Sequence, residues 1–232
     1  MDYLESILLG IVQGLTEFLP ISSSGHLEIS KVILGNNLSN KESLLFTIVL
    51  HSATAFSTIF YFKKDLLDIF SGLLNKNYNT SHHFSVLIII SMIPAVLVGL
   101  IFEDKINSLF DGNLILVGCM LYITAILLFT SDFLKLKKKE INFKNSFLIG
   151  LVQAIAILPG ISRSGATIAS AIIIGIDREK AARFSFIMVI PIIFGSMIKS
   201  LLLESTSLGI EDRDIREERY QDDLSISTSI SE

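Results

Sequence analysis

Cysteine and charge are scarce in this 232-residue sequence, and each shortage excludes a class of protein. The one cysteine, Cys119, lies in an apolar stretch, which excludes a disulfide framework and a cysteine-based metal site. Charged residues make up only 18% of the chain, and the few basic clusters flank apolar stretches, so nothing indicates nucleic-acid binding. The first apolar stretch lacks a basic region and contains Gln13 and Glu17, so we expect no cleavable signal peptide.

Long runs without charge are what the sequence has instead. Half of the residues are hydrophobic, and the mean hydropathy is +0.61. A helix needs about 20 apolar residues to cross a bilayer. Four stretches approach that length: residues 44–62, 84–102, 114–133 and 184–203. We therefore predict an all-α integral membrane protein, with a polytopic membrane domain over residues 1–203 and an acidic, disordered tail over residues 204–232.

Two further apolar stretches, residues 6–25 and 146–176, are interrupted by proline, glycine and serine. We predict that each is a re-entrant helix pair that enters the membrane, breaks and returns, and that the break lines a site. Their sequences, GIVQGLTEFLPISSSGH and GLVQAIAILPGISRSGA, share Gly-x-Val-Gln, a Leu-Pro and a Ser-x-Ser-Gly. This weak internal repeat predicts a site where the two broken helices meet.

Lysines between the spans indicate an orientation. Loops 63–83 and 134–145 together contain eight lysines, whereas loop 103–113 contains one. The positive-inside rule places the two lysine-rich loops in the cytoplasm. The first broken segment then enters from outside and the second from inside, so we predict inverted repeats. By this count the second repeat has two spans fewer than the first.

Gln13 and Glu17 are four residues apart, so they project from one face of a helix. An acid within an apolar segment is costly, and it indicates a functional site by default. The alternative is an interfacial helix in which Glu17 faces the lipid headgroups.

His26 follows a short polar run that can cradle an anion with hydroxyls and backbone N–H groups. This run is Ser22, Ser23, Ser24 and Gly25. His26 is therefore a candidate nucleophile or general acid/base, with a purely structural histidine as the alternative. Of the other histidines, we assign His51 to a polar face inside the bundle, and His82 and His83 to a solvated loop.

Arg163 is the only charged residue in the second broken segment. Its guanidinium is a fork of donors suited to phosphate or carboxylate. Hydroxyls and glycines surround it and let a ligand reach the backbone: Gly160, Ser162, Ser164, Gly165 and Thr167. The alternative is an internal ion pair with Glu17 that joins the two repeats.

Both polar turns resemble motifs of the undecaprenyl-diphosphatase family, the bacitracin-resistance type of membrane phosphatase. Residues 13–26, QGLTEFLPISSSGH, are similar to the family's (E/Q)-x-x-x-E acidic motif and its Ser-Gly-His continuation. Residues 159–167, PGISRSGAT, resemble its second motif, and residues 92–102, MIPAVLVGLIF, also look familial. The resemblance covers about residues 1–203.

The resemblance implies hydrolysis of undecaprenyl diphosphate to undecaprenyl phosphate and inorganic phosphate. This reaction recycles the lipid carrier of cell-wall synthesis and gives bacitracin resistance. The resemblance also implies a divalent cation, Mg²⁺ or Ca²⁺, a multi-pass position in the bacterial inner (plasma) membrane, and a site facing the outer side. A homodimer is one possible assembly.

Residue roles follow from the match as well. Gln13 and Glu17 take the acidic-motif positions, where Glu17 would hold the metal or activate water. Ser23 and His26 take the positions of the catalytic serine and histidine, and Arg163 takes that of the phosphate-binding arginine. The remaining residues of the two turns would bind the substrate phosphates: Ser22, Ser24, Gly25, Gly160, Ser162, Ser164, Gly165 and Thr167.

The sequence departs from the family pattern at two places. Gln13 stands where many members have glutamate, and a neutral amide is a poorer Mg²⁺ ligand than a carboxylate. Members also continue for two membrane helices where this sequence has the hydrophilic residues 204–232, so we expect an incomplete second repeat. Two alternatives follow: a polyprenyl-phosphate transporter or flippase, which broken inverted repeats also suit, and an inactive truncated remnant.

Overall fold

The protein is described from a computed structural model that covers residues 3–35, 40–109, 113–134 and 139–199, without the side chains of 40–45, 103, 104 and 107. Most of these residues are helical and none lies in a strand; an isolated bridge joins Lys139 to Ile176. The predicted all-α class is therefore confirmed. The chain divides into two units, Met1–Ile193 and Phe194–Glu232, and the candidate site lies within the first. Predictions about residues 204–232 fall outside the described residues.

The helices follow one another with short connections. Their bounds are α1 Tyr3–Phe18, α2 Ser23–Ile33, α3 Asn40–Tyr61, α4 Lys63–Leu73, α5 Thr80–Ile101, α6 Glu103–Ser108, α7 Leu114–Asp132, α8 Phe143–Ile155, α9 Arg163–Ile174 and α10 Arg178–Lys199.

Helices occupy the positions of all four predicted spans. α5, α7 and α10 are long and apolar enough to cross a membrane, whereas the apolar part of α3 that the structure describes, Phe46–Tyr61, is shorter. The prediction that residues 63–83 form a loop is wrong, because they contain α4 and the start of α5. His82 and His83 accordingly lie in the first turn of α5, where Asn79 caps the helix and accepts a hydrogen bond from the His82 N–H.

Both broken segments end one helix close to a proline and begin the next soon after it. α1 ends at Phe18 before Pro20, and α8 ends at Ile155 before Pro159. The helix pairs also extend beyond the predicted segments: α2 continues to Ile33, and α8 begins at Phe143. Position in a membrane and inverted orientation stay predictions.

The two turns interlock through glycines. A Cβ added to Gly25 would lie 3.1 Å from the Gly160 Cα, and a Cβ added to Gly165 would lie 2.6 Å from the Pro20 carbonyl oxygen. Gly160 also has a φ of 93°, a conformation that favours glycine. These close contacts bring the starts of α2 and α9 together, and both helices also contact α7.

α8 is fixed against α5 by small residues. The Ser146 hydroxyl donates to the Leu87 carbonyl oxygen, and Gly150 lies so close to the Ser91 carbonyl group that a side chain there would overlap it. Around this contact, α8, α9 and α10 contribute buried apolar side chains, including Ile149, Ile172 and Phe184. The second turn is thus mounted on a packed layer, which positions Arg163.

Candidate active site

Glu17 is the centre of a cluster drawn from both broken segments. Its side chain is 12% exposed and does not face outward, so the interfacial-helix alternative is wrong. Arg163 Nη2 donates to Glu17 Oε1 at 2.8 Å, and the Ser23 hydroxyl donates to Glu17 Oε2 at 2.5 Å. Gln13 Nε2 also donates to Oε2, at 3.1 Å. Both carboxylate oxygens are therefore engaged, and the ion pair with Arg163 considered from the sequence is present.

The two turns hold their side chains by the same local hydrogen bonds. Ser22 caps α2 by accepting from the Gly25 N–H at 3.3 Å, and Ser162 caps α9 by accepting from the Gly165 N–H at 3.0 Å. The residue after each capping serine is therefore equivalent in the two turns. These residues are Ser23 and Arg163, and each binds a different oxygen of Glu17.

His26 lies one turn of α2 beyond Ser23. Its Nδ1 is 2.7 Å from the Ser22 carbonyl oxygen, a group that only accepts, so Nδ1 carries the hydrogen. Nε2 is then left with a lone pair that can accept a proton or attack a phosphorus atom. Within the described part of the chain, His26 makes no direct hydrogen bond to Glu17.

A shallow open cavity adjoins the cluster, and its volume of about 310 Å³ includes open solvent. One part of its wall is polar: Glu17, Thr54, Thr58, Arg163, Ser164 and Ser185. The other part is apolar: Phe18, Phe186, Val189 and Ile193. Polar residues thus outnumber apolar ones in the wall. Arg163 offers a donor to an anionic group, and the apolar part offers contacts to hydrocarbon.

Other predicted site residues have local partners. In each helix cap the glycine N–H donates to the serine hydroxyl: Gly25 to Ser22, and Gly165 to Ser162. Both glycine N–H groups are therefore engaged. Ser24 and Ser164 each lie 3.4 Å from their capping serine hydroxyl. The buried Thr167 hydroxyl bonds to the Arg163 carbonyl oxygen and lies 2.5 Å from the Ser185 hydroxyl. The Gly160 carbonyl oxygen accepts a long bond from Thr124. Phosphate binding by these residues stays a prediction.

Four site residues were missed from the sequence: His51, Thr54 and Thr58 of α3, and Ser185 of α10. His51 Nδ1 lies 3.0 Å from Gln13 Nε2 and 3.5 Å from Glu17 Oε2. His51, Thr54 and Thr58 are spaced three and four residues apart, on one face of an uncharged run that also contains Thr47, Ser52 and Ser57. A polar stripe within an apolar span was the signal that could have identified them.

The donors near Glu17 fit a divalent cation only in part. Among the described residues, no group of three His, Cys, Asp or Glu side chains forms a metal site. Gln13 Oε1 is, however, buried and has no hydrogen-bond partner in the described structure. Mg²⁺ in phosphoryl-transfer sites commonly uses one or two carboxylates together with substrate phosphates. One carboxylate and one free amide oxygen fit a cation of that kind.

Comparison with known proteins identifies the family. Residues 6–224 match the family model described as bacitracin resistance protein BacA. An undecaprenyl-diphosphatase of Christiangramia forsetii is 57% identical over 202 residues, 87% of this chain and 76% of the relative. An undecaprenyl-diphosphatase of Bacteroides fragilis is 47% identical over 199 residues (85% and 74%), and one of Methanococcus vannielii is 41% identical over 198 residues (83% and 76%). The chain therefore belongs to the bacitracin resistance protein BacA family.

Proposed function

We propose that this protein hydrolyses undecaprenyl diphosphate to undecaprenyl phosphate and inorganic phosphate, and so recycles a cell-wall lipid carrier and gives bacitracin resistance. One observation carries the proposal: Ser23 and Arg163 bind opposite oxygens of Glu17 beside the cavity with polar and apolar walls. Relatives that are named undecaprenyl-diphosphatase support the choice of substrate.

Substrate binding uses the two parts of the cavity. The diphosphate lies against Arg163, whose guanidinium can bind phosphate oxygens with two parallel hydrogen bonds. The first part of the prenyl chain lies against Phe18 and Phe186, whose ring centroids are 6.4 Å apart. Because the diphosphate is the stronger anion, it competes with Glu17 for Arg163, which frees a Glu17 oxygen as substrate binds.

Ser23 is the proposed nucleophile, because its hydroxyl already donates to Glu17 Oε2. Glu17 accepts the proton while Ser23 Oγ attacks the terminal phosphorus and the bond to the bridging oxygen breaks. Undecaprenyl phosphate leaves, and water then releases phosphate from the serine. His26 Nε2 is the second proton-transfer group, available to activate that water. A transporter needs no such pairing of a hydroxyl with a carboxylate.

We propose a divalent cation, Mg²⁺ or Ca²⁺, as the cofactor. Glu17 and Gln13 Oε1 are the groups that would hold it, together with substrate phosphate oxygens. When bound, such an ion offsets the negative charge of the diphosphate. We propose, from the family, a location in the bacterial inner membrane with the site open to the outer face. The lysine distribution supports an orientation with the two lysine-rich loops in the cytoplasm.

Phosphate release from a polyprenyl diphosphate by the detergent-purified protein tests this function. With Mg²⁺ or Ca²⁺ present, we expect release by the wild type and a loss of about 10³-fold or more in Arg163→Ala, the scale for removing an arginine from a phosphoryl-transfer site. Arg178→Ala is the matched control, because it removes an exposed arginine whose partner is Asp132. Full release by Arg163→Ala would contradict the assignment.

A further inference from the structure

His51 contacts Gln13 and Glu17 from a fourth helix of the cluster, although the proposed chemistry does not use it. It lies on α3, and its side chain is 27% exposed. Its Nδ1 is 3.0 Å from Gln13 Nε2, within hydrogen-bonding distance, but 3.5 Å from Glu17 Oε2. The closer partner of His51 is thus the amide, and the amide in turn binds the carboxylate.

The hydrogen-bond pattern assigns the orientation of the Gln13 amide. Its Nε2 has two hydrogens and two neighbours, Glu17 Oε2 at 3.1 Å and His51 Nδ1 at 3.0 Å. With the amide reversed, its carbonyl oxygen would face the Glu17 carboxylate with no hydrogen between them. Nε2 therefore donates to both neighbours, and His51 accepts at Nδ1 and carries its hydrogen on Nε2.

This orientation leaves Gln13 Oε1 buried without a partner in the described structure. An unsatisfied buried oxygen is unfavourable, so until a cation binds Oε1 the orientation depends on both bonds made by Nε2. Without the acceptor on His51, one of those bonds is lost, and the amide is free to rotate and give its oxygen a partner. Glu17 Oε2 then loses a donor and with it the alignment toward Ser23.

We propose that His51 is a positioning residue, which fixes the Gln13 amide and through it the Glu17 oxygen that accepts the Ser23 proton. This inference rests on the proposed phosphatase activity. It accounts for a neutral glutamine in the acidic motif: a carboxylate at position 13 could not donate to both Glu17 and His51, whereas an amide can.

Two substitutions of similar size distinguish the loss of the His51 hydrogen-bond acceptor from the loss of its side-chain volume. In His51→Asn, the amide oxygen stands near the place of Nδ1 and can accept from Gln13. His51→Leu removes the acceptor. We expect His51→Leu to lower kcat by about tenfold or more, the effect of losing a group that orients a directly acting ligand. KM should stay almost unchanged, and His51→Asn should keep most of kcat.

His83→Leu is the matched control, because His83 lies in α5 and contacts Tyr78 and Phe143. It should leave kcat unchanged. A second test combines His51→Leu with Gln13→Ala. If His51 acts through Gln13, adding His51→Leu to Gln13→Ala changes kcat little; losses that multiply would overturn the inference. Equal kcat losses in His51→Leu and His51→Asn would also overturn it.

Nitrogen NMR of the full chain labelled with ¹⁵N-histidine tests the contact without an activity measurement. We expect His51 to show an unprotonated Nδ1 and a protonated Nε2, and Gln13→Ala to shift the Nδ1 signal. A protonated Nδ1, or a signal that Gln13→Ala leaves in place, would overturn the inference. If the wild-type protein releases no phosphate, the proposed function fails, and the NMR result separately decides whether His51 orients Gln13.

Discussion

The turn between α1 and α2 and the turn between α8 and α9 have the same framework but different chemistry. Each uses a capping serine, a glycine three residues later and a contact from that glycine to the other turn. The first turn supplies a hydroxyl, Ser23, and the second supplies a cation, Arg163. One repeated framework can thus carry the proposed nucleophile on one side of Glu17 and the proposed phosphate-binding group on the other.

The helices that precede the two turns differ in the same way. Gln13 and Gln153 occupy matching positions in the repeat, and both are buried. Gln13 donates to Glu17 and approaches His51, whereas the amide nitrogen and oxygen of Gln153 have no hydrogen-bond partner in the described structure. Four residues after Gln13 stands the acid Glu17, whereas no acid stands four residues after Gln153. This difference indicates that the first repeat holds the proton-transfer chemistry.

The largest expected effect tests whether the proton-transfer chemistry belongs to the first repeat alone. Glu17→Gln keeps the shape of the side chain but removes the proton acceptor, so phosphate release should fall by about 10²–10⁴-fold. Ile157 occupies the matching position in the second repeat. Ile157→Ala should leave most of the activity. Steady-state phosphate release of both variants compares them directly, and equal losses would show that the repeats share the chemistry.

A smaller effect is expected where the turns interlock. Gly165→Ala forces a methyl group against the Pro20 carbonyl oxygen and should lower the free energy of unfolding by about 1–3 kcal/mol. Gly25→Ala places its methyl group 3.1 Å from the Gly160 Cα, a looser contact, and should cost less. Thermal unfolding in detergent ranks the two variants. The reverse order would mean that the turns do not meet as described.

The smallest effect concerns the two capping serines. Ser22 has a φ of 73°, a left-handed conformation that favours glycine, whereas Ser162 has a φ of −72°. Replacing a capping serine by glycine costs only a few tenths of a kcal/mol. At Ser22 the relief of backbone strain offsets that loss, so Ser22→Gly should melt at a higher temperature than Ser162→Gly. A lower melting temperature for Ser22→Gly would contradict the strain assigned to Ser22.

The turns could be predicted from the sequence because their signals are local. A proline, a capping serine and a glycine fix where one helix ends and the next begins. Glu17 and Arg163 were identifiable because a charge within an apolar run is rare. The sequence predicts that the two turns meet, but it does not predict the 2.8 Å contact between the two charges, since that distance depends on how Gly25 and Gly160 pack.

His51 shows where local signals fail. Its role depends on α3 lying beside α1, which brings the ring within 3.0 Å of a glutamine far away in the sequence. The polar stripe of α3 marks His51 as part of a polar face, but nothing near position 51 in the sequence encodes which residue it contacts. α4 was missed for another reason: its 11 residues carry charges and sit between two long apolar helices, where a loop is the simpler prediction.

Phosphate release from undecaprenyl diphosphate by Ser23→Ala, Arg163→Ala and the double variant tests the central claim most directly. Both residues act on one carboxylate, so we expect each single substitution to cause a large loss of activity. The double variant should be only slightly less active than the less active of the two single variants. Losses that multiply in the double variant, or full activity in either single variant, would contradict a single site built from both turns.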